Sequence, residues 1–257
     1  MRIALLSDVH GNLAALEAVI ADLERRSVDA VVDLGDLVSG PLCPRETAAR
    51  LRATGWLHLA GNHERQLLTR PPESLGASDA HARAELGPEW LDWLSTLPPS
   101  FCWSDDLFLC HGTPASDLVY LLETVERDHA RLALPEEIEE RLGGASAAVV
   151  ACGHTHIPRC VRRADGRLLV NPGSVGLQAY VGDYPHLHAM ETGSPDARYA
   201  VLERRREGWQ CELVAVPYDS RDMARLAAER GRPEWEHALL HGYVAPGERP
   251  RPERAHG

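Results

Sequence analysis

The chain contains no lysine, so all 27 of its basic residues are arginine. A local positive site would have to be built from arginine or from bound metal ions. No apolar run approaches the ~20 residues that cross a bilayer, and Met1 and Arg2 lead straight into apolar residues 3–6 without the layout of a signal peptide. Both absences point to a cytoplasmic protein with no membrane partner. No Cys-x-x-Cys pair occurs among Cys43, Cys102, Cys110, Cys152, Cys160 and Cys211, which read as reduced thiols, most of them small core residues. The excess of 38 acidic over 27 basic side chains gives a formal charge of −11, which repels phosphate backbones and argues against stable nucleic-acid binding.

What is present is an ordinary globular composition, 44% hydrophobic, 25% charged and 5% aromatic over 257 residues, enough to bury a full core. Collagen-like, mucin-like and disordered chains are thereby excluded. Short apolar runs alternate with amphipathic stretches, the pattern of βα units. Residues 3–6 read as a buried strand, Leu13, Leu16, Val19, Ile20 and Leu23 recur at helical spacing, and residues 30–34 form the next strand. Together they have the length of a βαβ crossover. A third unit runs through a helix at 48–53 to a strand at 56–60. Residues 70–99 are helix-prone, with Trp90 and Trp93 read as core. Strand-like runs at 101–110 and 147–152 are separated by an acidic, helix-compatible segment at 118–142. Hairpins are expected at 159–170 and 198–216, then a final helix at 220–229. These elements fit a single domain over residues 1–244, followed by a Pro/Arg/Glu-rich tail at 245–257 expected to be disordered.

The apolar runs share one property: each leads into side chains that can bind metal. Residues 3–6 lead to Asp8 and His10, residues 30–34 to Asp36, and residues 56–60 to Asn62 and His63. Residues 107–110 lead to His111, and residues 148–152 to His154 and His156. Loops at the carboxyl ends of strands in α/β sheets converge on one crevice, so residues scattered over most of the chain are expected to be neighbours. Histidine and carboxylate donors with one neutral amide suit divalent Mn, Fe, Co, Ni or Zn, and there are enough donors for two ions. A carboxylate such as Asp36 can bridge two ions ~3.5–4 Å apart, a spacing that grips a transferring phosphoryl group.

The blocks Asp8-x-His10, Gly35-Asp36, Gly61-Asn62-His63-Glu64, His111 and Gly153-His154-x-His156, in this order and spacing, resemble the calcineurin-like metallophosphoesterases. Asn171, Pro172, Gly173, Ser174, Val175 and Gly176 look like the strand-end loop of the smaller bacterial members. The resemblance implies an α/β fold, a four-layer αββα sandwich whose two mixed β-sheets are flanked by helices, with the metals at the top of the sheets. It implies a first metal on Asp8, His10, Asp36 and His156, and a second on Asp36, Asn62, His111 and His154. His63 would be the general acid that contacts phosphate. The implied reaction is hydrolysis of phosphate mono- or diesters by attack of a metal-bridging hydroxide. The implied partner is a small phosphorylated substrate, nucleotides among the candidates.

The protein phosphatases of this superfamily carry phosphate-gripping arginines after Gly-Asp and before Gly-Asn-His, where this chain reads Leu37, Val38, Ser39 and Leu59, Ala60. That weakens a protein-phosphatase or dinucleotide-polyphosphate-phosphatase assignment. Arg65, Arg127 and Arg131 could approach a phosphate but read as solvated surface. A non-catalytic metal-binding scaffold of the same fold is the alternative, and the complete ligand set with His63 argues against it. Of the other histidines, His58, His81, His129, His237, His241 and His256 read as packing or surface. His186 and His188 read as a loop with no preceding strand, its alternative role being to cover the site.

Overall fold

The structure, a computed structural model, describes residues 1–127 and 129–250. In chain order the first half holds β1 (Arg2–Leu6), α1 (Leu13–Leu23), β2 (Ala30–Asp33), α2 (Pro44–Thr54), β3 (Leu57–His58), α3 (Asn62–Thr69), α4 (Ala77–Glu85), α5 (Pro88–Leu94), β4 (Ser100–Ser104) and β5 (Leu107–Cys110). The second half holds β6 (Glu123–Val125), β7 (Ala130–Leu132), α6 (Pro135–Leu142), β8 (Val149–Ala151), β9 (Arg159–Arg162), β10 (Leu168–Asn171), β11 (Ala179–Gly182), β12 (His188–Glu191), β13 (Ala197–Arg205), β14 (Gly208–Val216), α7 (Arg221–Glu229) and α8 (Pro233–His241).

Two five-stranded mixed sheets form, in the orders β14-β13-β1-β2-β3 and β4-β5-β8-β10-β9. Strand periodicity explains how they stack. Ile3 and Leu5 point from β1 into a core shared with Leu107 and Leu109 of β5, Val149 of β8 and Val170 of β10, while Ala4 and Leu6 point the other way onto Leu16, Val19 and Ile20 of α1. On the far face of the second sheet, Val150 and Leu169 pack with Ile138 and Leu142 of α6. Helix, sheet, sheet and helix therefore make the four-layer αββα sandwich that the motif resemblance implies. Each fully buried Leu or Ile contributes ~1.5–3 kcal/mol relative to its exposed state.

Strands β1, β2 and β3 are mutually parallel, as are β5, β8 and β10. The carboxyl ends of β1, β2 and β3 and of β5 and β8 are where the candidate metal-donor side chains follow.

Four expectations need correction. Residues 101–110 are two antiparallel strands, because Asp105 and Asp106 supply a turn between β4 and β5. Residues 118–142 are not one helix. Thr124 and Val125 lie in the β6–β7 hairpin, and the helix begins only at Pro135, whose fixed φ suits the first helical position. The C-terminal region holds two helices: Gly231, with φ 72°, ends the turn after α7, and Pro233 opens α8, which buries Trp235, Ala238 and Leu239. His188 is no loop residue but opens β12 opposite Gly182 of β11, buried against Tyr120, whose Oη lies 3.0 Å from its Nε2. Of the expected tail, residues 251–257 lie outside the described residues, and before them Arg249 pairs with Glu191.

Trp90 and Trp93 pack half-buried on the core, their rings edge to face. His58 is buried beside Trp93, and burial pulls its pKa down to about 4, against the Leu51 carbonyl, which accepts from Nε2 at 3.2 Å. Its Nδ1 has no partner, so a second proton there would be unsatisfied. The folded pKa lies below the unfolded 6.5, so stability is full above pH 6.5 and declines as pH falls toward 4. The loss at the lower limit is on the order of 3 kcal/mol. His58→Gln keeps a donor for Leu51 and cannot titrate. Its urea midpoint is expected to fall less than the wild type's between pH 7 and pH 4.5, and equal falls would contradict this assignment.

Candidate metal centre

The backbone is bent where the parallel strands end. Asp8, His10, Asp36, His154 and His156 all adopt left-handed φ values between 51° and 69°, and among the described residues they are the only non-glycines that do so. Each such residue costs roughly 1–2 kcal/mol, a strain that persists only where the surroundings enforce it. Here the loops lock one another: Asp8 N donates to Gly35 O at 2.9 Å, His10 N to Asp36 O at 3.0 Å, and Gly153 N to His111 O at 2.7 Å. Close approach explains two glycines of the motifs. A Cβ on Gly61 would collide with the Asp36 carboxylate, and one on Gly153 with the Ser7 hydroxyl.

Two donor groups result. Asp8, His10 and His156 present ligand atoms within 4.8 Å of one another, and so do Asp36, His111 and His154. In the first group the Nδ1 atoms of His10 and His156 donate to the carbonyls of Ser39 and Leu177, at 2.7 and 2.6 Å. That turns Nε2 of both toward the site, 3.1 Å apart, with Asp8 Oδ1 3.4 Å from Nε2 of His156. Converging acceptors with their own protons committed elsewhere fit a cation. In the second group His111 donates from Nδ1 to Leu34 O at 2.9 Å, and its Nε2 lies 3.1 Å from Asp36 Oδ2 and 3.2 Å from Asn62 Oδ1. His154 is reversed. Its Nε2 donates to Leu118 O at 3.1 Å, so Nδ1 is its free donor atom. All seven residues named from the sequence thus meet at one crevice, and the donor set of nitrogen and oxygen atoms fits divalent transition ions.

The electrostatics agree. Burial brings His10 down to about 4 and His154 to about 3, so both rings are neutral and ligand-competent at pH 7. Burial opposes ionisation of Asp8 and Asp36, but His156 brings Asp8 to about 2 and His111 holds Asp36 well below the usual carboxylate range. The same pairing overcomes burial at His111 and lifts it to about 10. A site that holds a proton so firmly between carboxylate and imidazole favours positive charge there.

His63 stands at the edge of this crevice, its ring centroid 5.4 Å from that of His10, and its backbone N donates to Asp36 Oδ1 at 3.0 Å. Its Nδ1 lies 2.7 Å from Asp79 Oδ1, which also accepts from Ser39 Oγ at 2.6 Å. Asp79 was missed in the sequence because it belongs to α4, in a stretch with no strand before it. Glu64 was visible only as part of a motif. Buried completely, its carboxylate accepts from Asp36 N at 2.8 Å, Leu37 N at 2.9 Å and Gly61 N at 2.9 Å, tying the loop after β2 to the start of α3. Burial, then the Asp36 carboxylate, push its pKa up to about 7 against those donors. Tyr180 sets its ring, tilted by 55°, 4.5 Å from that of His156, and its hydroxyl donates to His154 O at 3.1 Å. Asn12 caps α1 and donates from Nδ2 to Gly176 O at 2.8 Å; Asn171 donates from Nδ2 to Gly153 O at 2.7 Å. With Asn62, whose Oδ1 faces His111, they are the chain's three asparagines. Arg65 and Arg131 are both engaged in ion pairs, Arg65 with Asp117 and Arg131 with Glu126 and Glu137.

Residues 1–192 match the family model described as the calcineurin-like phosphoesterase superfamily domain. An uncharacterized protein of Methanocaldococcus jannaschii is 24% identical over 246 residues, 91% of this chain and 94% of its own. Among solved structures, a metallophosphoesterase from Sphaerobacter thermophilus superposes with a TM-score of 0.70 at 25% identity, covering 93% of this chain and 98% of its own. A hypothetical protein from Pyrococcus horikoshii gives 0.72 at 18% identity, covering 95% and 99%, which speaks for the fold alone.

Glu64→Gln turns one of the oxygens that face three N–H groups into a donor. The variant is expected to be about 2 kcal/mol less stable in urea unfolding and to retain less metal on gel filtration. Unchanged stability and metal content would remove Glu64 from the support of this site.

Proposed function

Because the chain belongs to the calcineurin-like phosphoesterase superfamily, we propose that it is a hydrolase of phosphate mono- or diesters, with two divalent cations as cofactors and His63 as its general acid. The observation that carries this reading is the pair of facing donor groups, one around His10 and His156 and one around Asp36 and His111, with His63 beside them. In it, Asp8, His10, Asp36 and His156 hold one ion and Asp36, Asn62, His111 and His154 the other. Such ions would supply Lewis acidity to the phosphoryl oxygens and to the attacking water. The chain's own residues do the rest.

Asp79 fixes the His63 ring from Nδ1, leaving Nε2 toward the cleft for the leaving oxygen. Burial disfavours the imidazolium, yet Asp36 and then Asp79 bring His63 up to about 9 in the metal-free protein, and with Asp36 committed to cations it is the Asp79 carboxylate, 2.7 Å from Nδ1, that favours a proton on the ring for the leaving group. A strongly basic leaving group then departs as the alcohol. The cleft is bounded by Leu177, Val181 and Trp235 and suits a small phosphorylated molecule, nucleotides included, better than a nucleic acid. The six cysteines are all unpaired, in keeping with a reducing cytoplasm. Among the described residues no helix is long and apolar enough to cross a membrane.

The test is hydrolysis of p-nitrophenyl phosphate and bis-p-nitrophenyl phosphate with added Mn²⁺ and with chelator. Chelator-sensitive turnover is expected, with the ratio of the two rates choosing between mono- and diesters. His63→Ala should lower kcat by ~10²-fold or more with metal content preserved. Absence of turnover on these esters and on nucleotides would favour the scaffold reading, and an unchanged kcat in the variant would remove His63 from the chemistry.

A further inference from the structure

The cleft has a wall that neither the motifs nor the family match reaches. A cavity of about 350 Å³ opens on His10, Asp36, His63, His154 and His156, and a neighbouring one of about 580 Å³ opens on Asn62, His63 and His154. Arg232, the residue that caps α8, borders both. In a chain without lysine, a permanent cation at the cleft can only be arginine. Arg65 is held through its Nε and Nη2 on Asp117 and borders neither cavity, and Arg232 is the one guanidinium on the wall of the smaller cavity among the described residues.

The side chain of Arg232 is built into place. Its Nε donates to Glu234, its Nη2 donates to Ser78 Oγ at 3.2 Å, and its Cζ lies 5.8 Å from the centre of the Trp235 ring. Ser78 belongs to α4, the helix that also carries Asp79, so Arg232 is referenced to the partner of His63. Only 19% of the side chain is exposed, and among the described residues its Nη1 makes no hydrogen bond. A guanidinium oriented by three contacts, with Nη1 left over on a side chain that lines a cleft, is arranged for an oxyanion. Glu234 and Glu248 also border the smaller cavity. Glu234 meets the Nε edge and so offsets charge without occupying Nη1.

We propose that Arg232 is a substrate-binding residue, whose Nη1 edge donates to a non-bridging phosphate oxygen of the phosphoester in the cleft. This rests on the phosphoesterase reading above, and it makes the C-terminal helix pair, beyond the residues matched by the family model, part of the substrate site. Arg232 binds and orients the phosphate, whereas proton transfer stays with His63, so its removal acts on KM rather than on kcat.

The test uses the Mn²⁺-loaded full chain and two probes, p-nitrophenyl phosphate for kinetics and inorganic phosphate for calorimetry. Arg232→Ala is expected to raise KM and to weaken phosphate binding by the same ~10- to 100-fold. Its kcat should stay within about threefold, with metal content and circular dichroism unchanged. Arg232→Lys should recover part of the affinity, a point charge replacing the fork, and Arg225→Ala, on an exposed face of α7, should change nothing. Should the alanine variant fail to fold, Arg232→Gln, which retains a donor for Ser78, carries the same expectation. Equal KM and equal phosphate affinity in wild type and variant would overturn the role of Arg232 and leave the phosphoesterase reading standing. If the wild type binds phosphate yet hydrolyses no ester, that reading fails while phosphate affinity still decides Arg232. A wild type that neither hydrolyses esters nor binds phosphate overturns both.

Discussion

Asp36 is gripped at four of its atoms, and the crevice is organised around those contacts. Its backbone N donates to Glu64, its carbonyl accepts from His10 N, its Oδ1 accepts from His63 N, and its Oδ2 faces Nε2 of His111. One residue thereby joins the loop after β1, the start of α3 and the end of β5, which means that it joins the two sheets. Its left-handed backbone conformation is part of the arrangement, since an extended residue could not make these contacts from the end of β2. The strain is offset by bonds that surround it, as at functional sites generally.

The same logic explains why the donors are poised before any ion arrives. The Nδ1 atoms of His10, His111 and His156 are each committed to a backbone carbonyl, which fixes the ring and leaves Nε2 facing the site, in His111 with a proton held against Asp36 that a cation would replace. The carbonyls come from loops that the glycines, the asparagines and the left-handed residues hold in place. Preorganisation at this level is what two closely spaced cations require, because repulsion between them must be opposed by carboxylates already in position.

Much of this was legible in the sequence. Apolar runs ending in Asp8, Asp36, His111 and His154 identify parallel strands and a common crevice, because strand direction and side-chain chemistry are both local properties. The two late hairpins were legible for the same reason, the first turning around Asp165-Gly166 as expected and the second one residue earlier than expected, at Arg206-Glu207, with Gly208 opening β14. What failed depended on partners distant in the chain. Glu123 sits in a strand because Arg159 of β9 receives its carboxylate, so an acidic stretch that reads as helix becomes a hairpin. His188 is buried because Tyr120 lies over it, and α8 exists because Trp235, Ala238 and Leu239 find a core with Leu42, Leu177 and Ala179. Asp79 and Arg232 belong to this class, since nothing within a few residues of either marks the site that each one borders.

The most direct measurement is anomalous diffraction from crystals grown with saturating Mn²⁺. The account predicts two peaks ~3.5–4 Å apart, one ringed by Asp8, His10 and His156, the other by Asn62, His111 and His154, with Asp36 between them. No peak at these residues, or a lone peak away from Asp36, would contradict it.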